Sequence, residues 1–250
     1  MRMQKKNYSE QHEATNWEQG LKKQERTDMF KKIAMWAGII AVSIAGLAGL
    51  VVLADRSSGS SQKAPVESAN FPKINENDIV LGDPKAKVTF TEYADFQCPA
   101  CASYNPVTNR LLEEYKGKAK LVYRFFPLKS IHKNALISAQ AAYAAWKLGK
   151  FSEMKDMLYD NQKDWENLGD PREIFEGYAS TIGLDVEKFR GVMNSDEAKK
   201  AVEAGEKEAV SLGLNSTPSF FIENKKIQPS GYDDFKKLID EKLQSEKPLQ

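Results

Sequence analysis

Hydrophobic and polar residues divide the chain into a polar start, one long apolar run and a longer mixed remainder. Residues 1–32 are polar and carry eight Lys or Arg against five acids. The run that follows, Ile33–Ala54, holds 22 residues without a charge. As a helix it would measure about 33 Å, which is enough for the hydrocarbon core of a bilayer. The pattern predicts a polar tail followed by a transmembrane helix.

Basic residues beside this run predict its orientation. They are concentrated on its N-terminal side, at Lys22, Lys23, Arg26, Lys31 and Lys32. Segments rich in Lys and Arg that flank a transmembrane helix remain on its cytoplasmic side. We therefore expect a single-pass membrane protein with a cytoplasmic N-terminus and an extracytoplasmic C-terminal domain. A signal peptide cleaved after Ala54 is the alternative. The polar segment that precedes the apolar run is long for a signal peptide, and the run itself is longer than the usual hydrophobic region of a signal peptide. Both features favour an uncleaved membrane anchor.

The remainder of the chain predicts a Ser-rich linker at residues 55–70 and a folded domain at residues 71–250. Val88–Tyr93 alternates with period two and is rich in β-branched and aromatic residues, which indicates a strand. A helical pattern fills residues from about 130 to 213. The other predicted elements are a first helix to about Lys116, strands at Lys120–Phe126, Ser219–Ile222 and about Lys226–Gln228, and a last helix at Tyr232–Leu243. The pattern is that of an α/β domain.

Composition and charge narrow the classes of function. The chain has 250 residues, of which 41% are hydrophobic and 28% charged, and its formal net charge is +1. Nucleic-acid binding needs a basic surface, whereas the lysines here alternate with acids along helical segments, so we expect no nucleic-acid partner. The sequence holds two cysteines, and both lie in one motif. Two cysteines cannot form a disulfide scaffold, so their role is local.

The two cysteines follow the Val88–Tyr93 strand at C-x-x-C spacing, as Cys98-Pro99-Ala100-Cys101. A proline directly after Cys98 suits the first turn of a helix, where its missing N–H needs no partner. The helix N-terminus stabilises a thiolate, so Cys98 is the predicted nucleophile. Cys101 lies one turn later on the same side and is predicted to resolve a mixed disulfide on Cys98.

A C-x-x-C motif has two other common roles, a structural zinc site and an inert disulfide. A structural zinc site needs four ligands, and the histidines available are His12, in the polar tail, and His132. An inert structural disulfide would close so small a loop that it would remove little entropy from the unfolded chain. A redox pair is therefore the favoured interpretation, with neither a metal nor any cofactor beyond the Cys98–Cys101 disulfide.

Three sequence features together resemble the DsbA-like branch of the thioredoxin superfamily, which are bacterial thiol:disulfide oxidoreductases with a helical insertion. They are F-x-C-P-x-C at Phe96–Cys101, the F-P-L run at Phe126–Leu128 with His132 nearby, and Thr217-Pro218 before a strand. The resemblance covers roughly Asp78–Leu243. It implies a thioredoxin-like fold in which the helical insertion separates the second strand from the strand that follows a cis-proline.

In such proteins the cis-proline loop faces the cysteines and pairs with an extended segment of substrate. The resemblance therefore implies that Thr217 and Pro218 bind substrate, with Pro218 in the cis form at the catalytic centre. Pro99 and Ala100, between the cysteines, are the other expected substrate contacts. The alternative is that Pro218 is an ordinary turn proline.

Glu92 is a further candidate because it shares a strand face with Val88 and Phe90 and should be buried. A buried carboxylate needs a partner or stays protonated, and Arg124 on the next strand is a plausible partner. In the family an acidic residue six positions before the first cysteine is linked to proton transfer at the buried thiol, and Glu92 has that spacing. The alternative is an exposed carboxylate at a strand end. His132 is interpreted as a helix-start residue rather than a catalyst.

These expectations combine into a membrane-anchored, extracytoplasmic thiol:disulfide oxidoreductase. We expect it to act as an oxidase that donates the Cys98–Cys101 disulfide to folding secreted or membrane proteins. The sequence has no second cysteine pair, so a membrane redox partner is expected to recycle it. A reductase or isomerase fed by a membrane electron donor, and a non-catalytic anchored peptide-binding module, are the alternatives. The Pro-Ala dipeptide lacks the histidine that some strong oxidants carry, which leaves the oxidising strength open.

Overall fold

The computed structural model describes residues 71–245. The predicted tail at residues 1–32, the predicted transmembrane helix at residues 33–54 and the predicted linker at residues 55–70 lie outside the described residues. Among the helices between residues 71 and 245, none has the length and apolar character required to cross a bilayer.

A mixed five-stranded sheet forms the centre of the described domain. Its strands are β1 (Ile79–Gly82), β2 (Val88–Ala94), β3 (Ala119–Phe125), β4 (Ser219–Ile222) and β5 (Lys225–Ile227). Their order across the sheet is β1-β3-β2-β4-β5. Strands β2 and β3 are parallel, and the other neighbours are antiparallel. The central strand β2 is buried at all seven positions, as expected for a strand whose two faces are both covered.

Eight helices surround the sheet in the described part of the chain. They are α1 (Pro99–Glu114), α2 (Ala135–Lys147), α3 (Phe151–Asp160), α4 (Gln162–Trp165), α5 (Arg172–Thr181), α6 (Val186–Met193), α7 (Asp196–Ser211) and α8 (Tyr232–Ser245). Helix α1 makes the crossover between the parallel strands β2 and β3, which a hairpin cannot do. Helices α2 to α7 all lie between β3 and β4. The predicted thioredoxin-like α/β fold with a helical insertion is confirmed.

Three apolar clusters hold the helices to the sheet in the described part of the chain. In one, Phe90 packs edge-on against Phe235 of α8, with ring centroids 5.4 Å apart. A second lies under the insertion, where Phe96 contacts Tyr123 and Tyr159. The third includes Tyr93 and Phe221. Each large ring that is removed from water contributes roughly 2–3 kcal/mol, so these contacts fix the insertion over the end of β2.

Some elements differ from the sequence prediction. Strand β1 was not predicted, so the strand expected at Lys120–Phe126 is the third of the sheet. With four residues, three of them apolar, β1 is too short to show a period of two, and it is held by pairing with β3. The bounds of β5 and of helices α1 and α8 shift by up to two residues, which is the usual uncertainty at element ends.

Candidate active site

Cys98 lies where β2 has ended and α1 begins, as the spacing predicts. It is the N-cap residue of α1 and has an extended backbone, with φ −78° and ψ 120°. Pro99 occupies the first turn, and the Cys98 carbonyl accepts the first helical hydrogen bond, from the N–H of Ala102 at 3.1 Å. Cys98 is 7% exposed, while Pro99 and Ala100 are exposed. Cys98 is thus nearly buried at the helix N-terminus, beside two exposed residues of the motif.

The two thiols of the motif are free in this structure and differ in acidity. The pKa of Cys98 is lowered to about 5, chiefly by a hydrogen bond from the Cys101 thiol; burial opposes this shift. A hydrogen bond with Thr217 and the backbone N–H groups of Cys101 and Ala100 lower it further. The pKa of Cys101 is raised well above its usual range, first by burial and then by its neighbour Cys98. At neutral pH the outer sulfur is therefore a thiolate and the inner sulfur a thiol.

Strand pairing brings the Thr217-Pro218 loop to the same end of the sheet. Strand β4 runs antiparallel to β2 with Tyr93 opposite Ser219, so the residues before β4 lie beside the residues after β2. The Thr217-Pro218 peptide bond is cis, which confirms the prediction. The Thr217 carbonyl oxygen lies 3.4 Å from the Cys98 sulfur. The nucleophile and the loop expected to hold substrate thus form one site.

A cavity of about 190 Å³ continues this site beside Pro218. Its lining includes Tyr104 of α1 and Phe220 of β4, whose rings lie 5.0 Å apart, and Lys226 of β5. An apolar floor with one cationic edge suits the side chain of a residue next to a cysteine in an extended peptide.

Glu92 is buried beneath the cysteines, with 2% of its surface exposed. The period of β2 predicted this burial, and the alternative of an exposed strand-end carboxylate is wrong. Burial raises the pKa of Glu92 to about 7. The positive charge of Lys155 opposes this shift, and the negative charge of the Cys98 thiolate adds to it. A carboxyl group that titrates near pH 7 can both accept and donate a proton at that pH.

The predicted pairing of Glu92 with Arg124 is wrong, and strand register gives the reason. In the parallel β2–β3 pair, Glu92 is opposite Tyr123, whereas Arg124 is opposite Tyr93. Neighbouring residues of a strand point to opposite faces, so the guanidinium lies on the other side of the sheet from Glu92. There it contacts Tyr93, the carboxylate of Asp78 at 3.1 Å and that of Glu208 at 2.9 Å.

Lys155 of α3 is a functional candidate that the sequence analysis missed. It is 1% exposed, and it is the cation whose charge lowers the pKa of Glu92. One sequence signal could have found it: α3 has an apolar stripe at Phe151, Met154 and Leu158, and Lys155 lies within that stripe. A lysine on a helix face that otherwise enters the core needs a specific partner.

Asp95 ties the cysteine loop to the loop after β3. Its buried carboxylate accepts hydrogen bonds from the backbone N–H groups of Gln97 and Leu128, both at 2.8 Å. The same group is 2.7 Å from Nδ1 of His132. His132 lies in the turn before α2 and makes this contact with its ring.

Among residues 71–245, no cluster of three or more His, Cys, Asp or Glu side chains is placed to share a metal ion.

Residues 74–241 match the Thioredoxin_4 family model, described as thioredoxin. The Na(+)/H(+) antiporter NhaA 3 of Salinispora tropica is 34% identical over 156 residues, which are 62% of this chain and 23% of that protein. The antiporter NhaA 1 of Mycobacterium sp. strain KMS is 33% identical over 159 residues, 62% of this chain and 25% of that protein. The chain thus spans about a quarter of the length of these curated relatives.

Several solved structures have the same fold. Oxidised BdbD from Bacillus subtilis superposes with a TM-score of 0.62 at 21% identity, covering 72% of this chain and 98% of that one. Wolbachia pipientis α-DsbA1 gives a TM-score of 0.62 at 24% identity, covering 69% and 94%. A thioredoxin-like oxidoreductase from Silicibacter pomeroyi gives 0.58 at 25% identity, covering 68% and 94%.

Proposed function

The chain belongs to the Thioredoxin_4 family and is a DsbA-like member of the thioredoxin superfamily, and on this premise we propose that it is a protein thiol:disulfide oxidoreductase. The observation that carries the proposal is the Cys98 sulfur. It lies at a helix N-terminus with a lowered pKa, next to the buried Cys101 thiol and 3.4 Å from the Thr217 carbonyl. A nucleophile, a resolving thiol and a peptide-binding loop are all that this exchange chemistry requires.

The reaction moves two electrons from a client dithiol to the Cys98–Cys101 disulfide. A client thiolate attacks the Cys98 sulfur, the bond to Cys101 breaks, and Cys101 leaves as a thiolate that takes a proton from Glu92. A second client thiolate then attacks the client sulfur in the mixed disulfide. Cys98 leaves as a stabilised thiolate, and the client holds a new disulfide. Oxidation of the client and reduction of the protein therefore balance.

We infer that electrons flow in the oxidase direction. A lowered pKa stabilises the reduced protein as its Cys98 thiolate, and a disulfide whose reduced form is stable is a good electron acceptor.

Thr217 and Pro218 offer backbone groups to an extended client segment, and the exposed Pro99 and Ala100 cover its other side. Both features support a protein client rather than a small thiol.

The proposed location rests on the sequence N-terminal to the described domain. Residues 33–54 would anchor the protein in the membrane and hold the thioredoxin-like domain outside the cytoplasm, where disulfides persist. Clients would then be cysteine-containing secreted or membrane proteins. Because the sequence has two cysteines, both in the active centre, a membrane redox partner would restore the disulfide after each turnover.

Trapping with Cys101→Ser tests this proposal in membranes that contain the full-length protein. Without Cys101 the mixed disulfide cannot be resolved from within, so we expect client proteins to accumulate in covalent complexes with Cys98. Reducing agent should release them, and diagonal gel electrophoresis followed by mass spectrometry identifies them. The double variant Cys98→Ser with Cys101→Ser is the control and should hold none.

Direction is tested separately, with the oxidised wild-type domain and a reduced, unfolded client. We expect the client to gain disulfides in proportion to the protein added. A second assay measures whether the reduced domain reduces the disulfides of insulin. If the protein reduces insulin but does not oxidise the reduced client, the reductase alternative replaces the oxidase. Peptide binding without either activity would leave only the binding module.

A further inference from the structure

Three loops meet at the end of the sheet that lies opposite to the cysteines. At this end, Val88 at the start of β2 pairs with Ala119 at the start of β3. Gly82, the last residue of β1, pairs with Lys120 of β3. Cys98 follows the other end of β2, and seven residues of strand measure roughly 20 Å. The loops beside Val88 are therefore well separated from the reacting sulfurs.

These loops concentrate positive charge. We call residues 83–87, 115–120 and 223–226 together the basic end. They hold seven lysines and two acids, although the net charge of the whole chain is +1. The exposed lysines among them are Lys85, Lys87, Lys116, Lys118 and Lys225. The ion pairs that lysines form within residues 71–245 lie elsewhere in the domain, so the charge of the basic end is not neutralised by them.

The two acids of the basic end are bonded to the backbone. The carboxylate of Asp83 accepts a hydrogen bond from the N–H of Lys85 at 2.8 Å. The carboxylate of Glu223 accepts one from the N–H of Thr89 at 2.9 Å. On the neighbouring helix α8, Asp240 forms an ion pair with Lys236 at 3.2 Å. These carboxylates are engaged, and the exposed amines of the basic end face solvent, where an external anion can reach them.

The chain enters the described domain beside the basic end. The ring of Phe71, the first described residue, lies 4.7 Å from that of Phe221. Phe71 also lines a cavity of about 400 Å³ whose wall includes Thr89 and Glu223. The sequence before it, residues 55–70, would span about 20 Å as a flexible coil and follows the apolar run at residues 33–54.

The position of this entry selects the partner that the charge would attract. An array of exposed lysines attracts anionic lipid headgroups and nucleic-acid phosphates alike. A membrane anchor at residues 33–54 would place a bilayer within one linker length of Phe71, and therefore close to the basic end. Nucleic acid has no such link to the chain. Lipid is the partner that both the charge and the path of the chain favour.

We propose that the basic end docks on a bilayer surface that carries anionic phospholipid headgroups, with the cysteines at the far end of the sheet. This docking goes beyond the exchange chemistry and rests on the proposed membrane anchor. Each lysine near an anionic leaflet adds to the attraction, which decays within a Debye length of about 10 Å. The docked domain keeps Cys98 away from the headgroups and accessible to clients in solution. Because salt screens the contact, docking is reversible.

Lysine acetylation in lipid nanodiscs measures this docking directly. The full-length protein is placed in discs of phosphatidylcholine alone or of phosphatidylcholine mixed with phosphatidylglycerol, and a brief pulse of an N-hydroxysuccinimide ester is followed by mass spectrometry. We expect Lys116 and Lys118 to react roughly threefold more slowly in the anionic discs, since protons are enriched near an anionic leaflet by about that factor. Lys163, which is exposed on α4, should react equally in both. Salt at about 1 M, where the Debye length is about 3 Å, should abolish the difference.

Charge-reversed variants show which surface is responsible. In Lys116→Glu with Lys118→Glu, the slower reaction of Lys85 and Lys87 in anionic discs should disappear. Lys199→Glu with Lys200→Glu is the matched control, because it changes the net charge equally at two exposed lysines of α7 and should keep the wild-type difference. The milder pair Lys116→Gln with Lys118→Gln removes two charges without adding acids and should weaken the difference.

Two results would overturn the docking surface. One is equal reactivity of Lys116 and Lys118 in the two kinds of disc. The other is an equal loss of the lipid effect in the α7 control, which would show that net charge rather than the basic end is responsible. Neither result would affect the proposed exchange activity, which is measured in detergent and should be the same in Lys116→Glu with Lys118→Glu as in the wild type. That activity fails if the wild type forms no disulfides in a reduced client, a result that leaves the lysine reactivities unchanged.

Discussion

Replacing Cys98 by serine is expected to lower the rate of client oxidation by roughly three orders of magnitude or more, the scale of losing a covalent nucleophile. A serine hydroxyl cannot form the disulfide that carries the two electrons, and at neutral pH it is not ionised. The loss should appear in the maximal rate as well as in the rate at low client concentration. The measurement is disulfide formation in a reduced client protein, followed over time at pH 7.

Ser103→Ala is the matched control for this variant. Ser103 lies on the same helix, one turn from Pro99, and its hydroxyl donates to the Pro99 carbonyl at 3.0 Å. It is exposed and has no part in the exchange, so the rate should stay within about twofold of the wild type. Full activity in Cys98→Ser would contradict the proposed mechanism, because a protein with Cys101 as its one cysteine cannot form the disulfide that it is proposed to donate.

The second large effect concerns the stability of the two redox forms. The Cys98 thiolate exists only in the reduced protein, and its pKa is lowered from 9.0 to about 5 by folding. A lowered pKa contributes stability that grows with pH between the folded and unfolded values and is lost as pH falls through about 5. Allowing for the solvent that reaches the sulfur, we expect this contribution to be about 2 kcal/mol at pH 7.

The comparison is made between the reduced and the oxidised domain unfolded in guanidinium chloride. The free energy of unfolding of the reduced form, minus that of the oxidised form, should fall by about 2 kcal/mol from pH 7 to pH 4. The constraint of the disulfide does not depend on pH in this range. Both forms are compared in the Glu92→Gln background, because the Cys98 thiolate of the reduced form also shifts the pKa of Glu92. The change with pH then isolates the thiolate. A difference that is constant with pH would contradict a stabilised thiolate.

Sequence alone was sufficient where the signal is local. The period of β2 placed Glu92 on a buried face, and a proline just after Cys98 marked the helix N-terminus. The resemblance to DsbA-like proteins, through Thr217-Pro218 before a strand, implied the cis peptide bond at Pro218. The first two depend on neighbours within a few residues, and the structure bears out all three.

Sequence was insufficient where position depends on pairing between distant segments. The partner proposed for Glu92 was Arg124, but the register of the parallel β2–β3 pair turns that side chain to the other face. Lys155 can be buried because α3 docks on α1, more than 40 residues earlier in the chain, where the amide oxygens of Asn105 and Asn109 accept its hydrogen bonds. The apolar stripe of α3 indicates that Lys155 is buried, but no local pattern identifies its partners on α1.

The Pro-Ala dipeptide between the cysteines has no charge to stabilise a thiolate, so the acidity of Cys98 must come from its surroundings. The structure provides those surroundings as the Cys101 thiol, the N–H groups of the first turn of α1 and the Thr217 loop. Oxidising power in this protein would then depend on how these groups are held, rather than on the identity of the two residues within the motif.

Ultraviolet absorbance of the thiolate, followed as a function of pH in the fully reduced wild-type domain, is the most direct test of this account. Cys101 stays protonated through the neutral range, so one sulfur ionises there. We predict a single transition with a midpoint near pH 5, absent from Cys98→Ser. A midpoint near pH 8.5, the value of an ordinary cysteine, would contradict it.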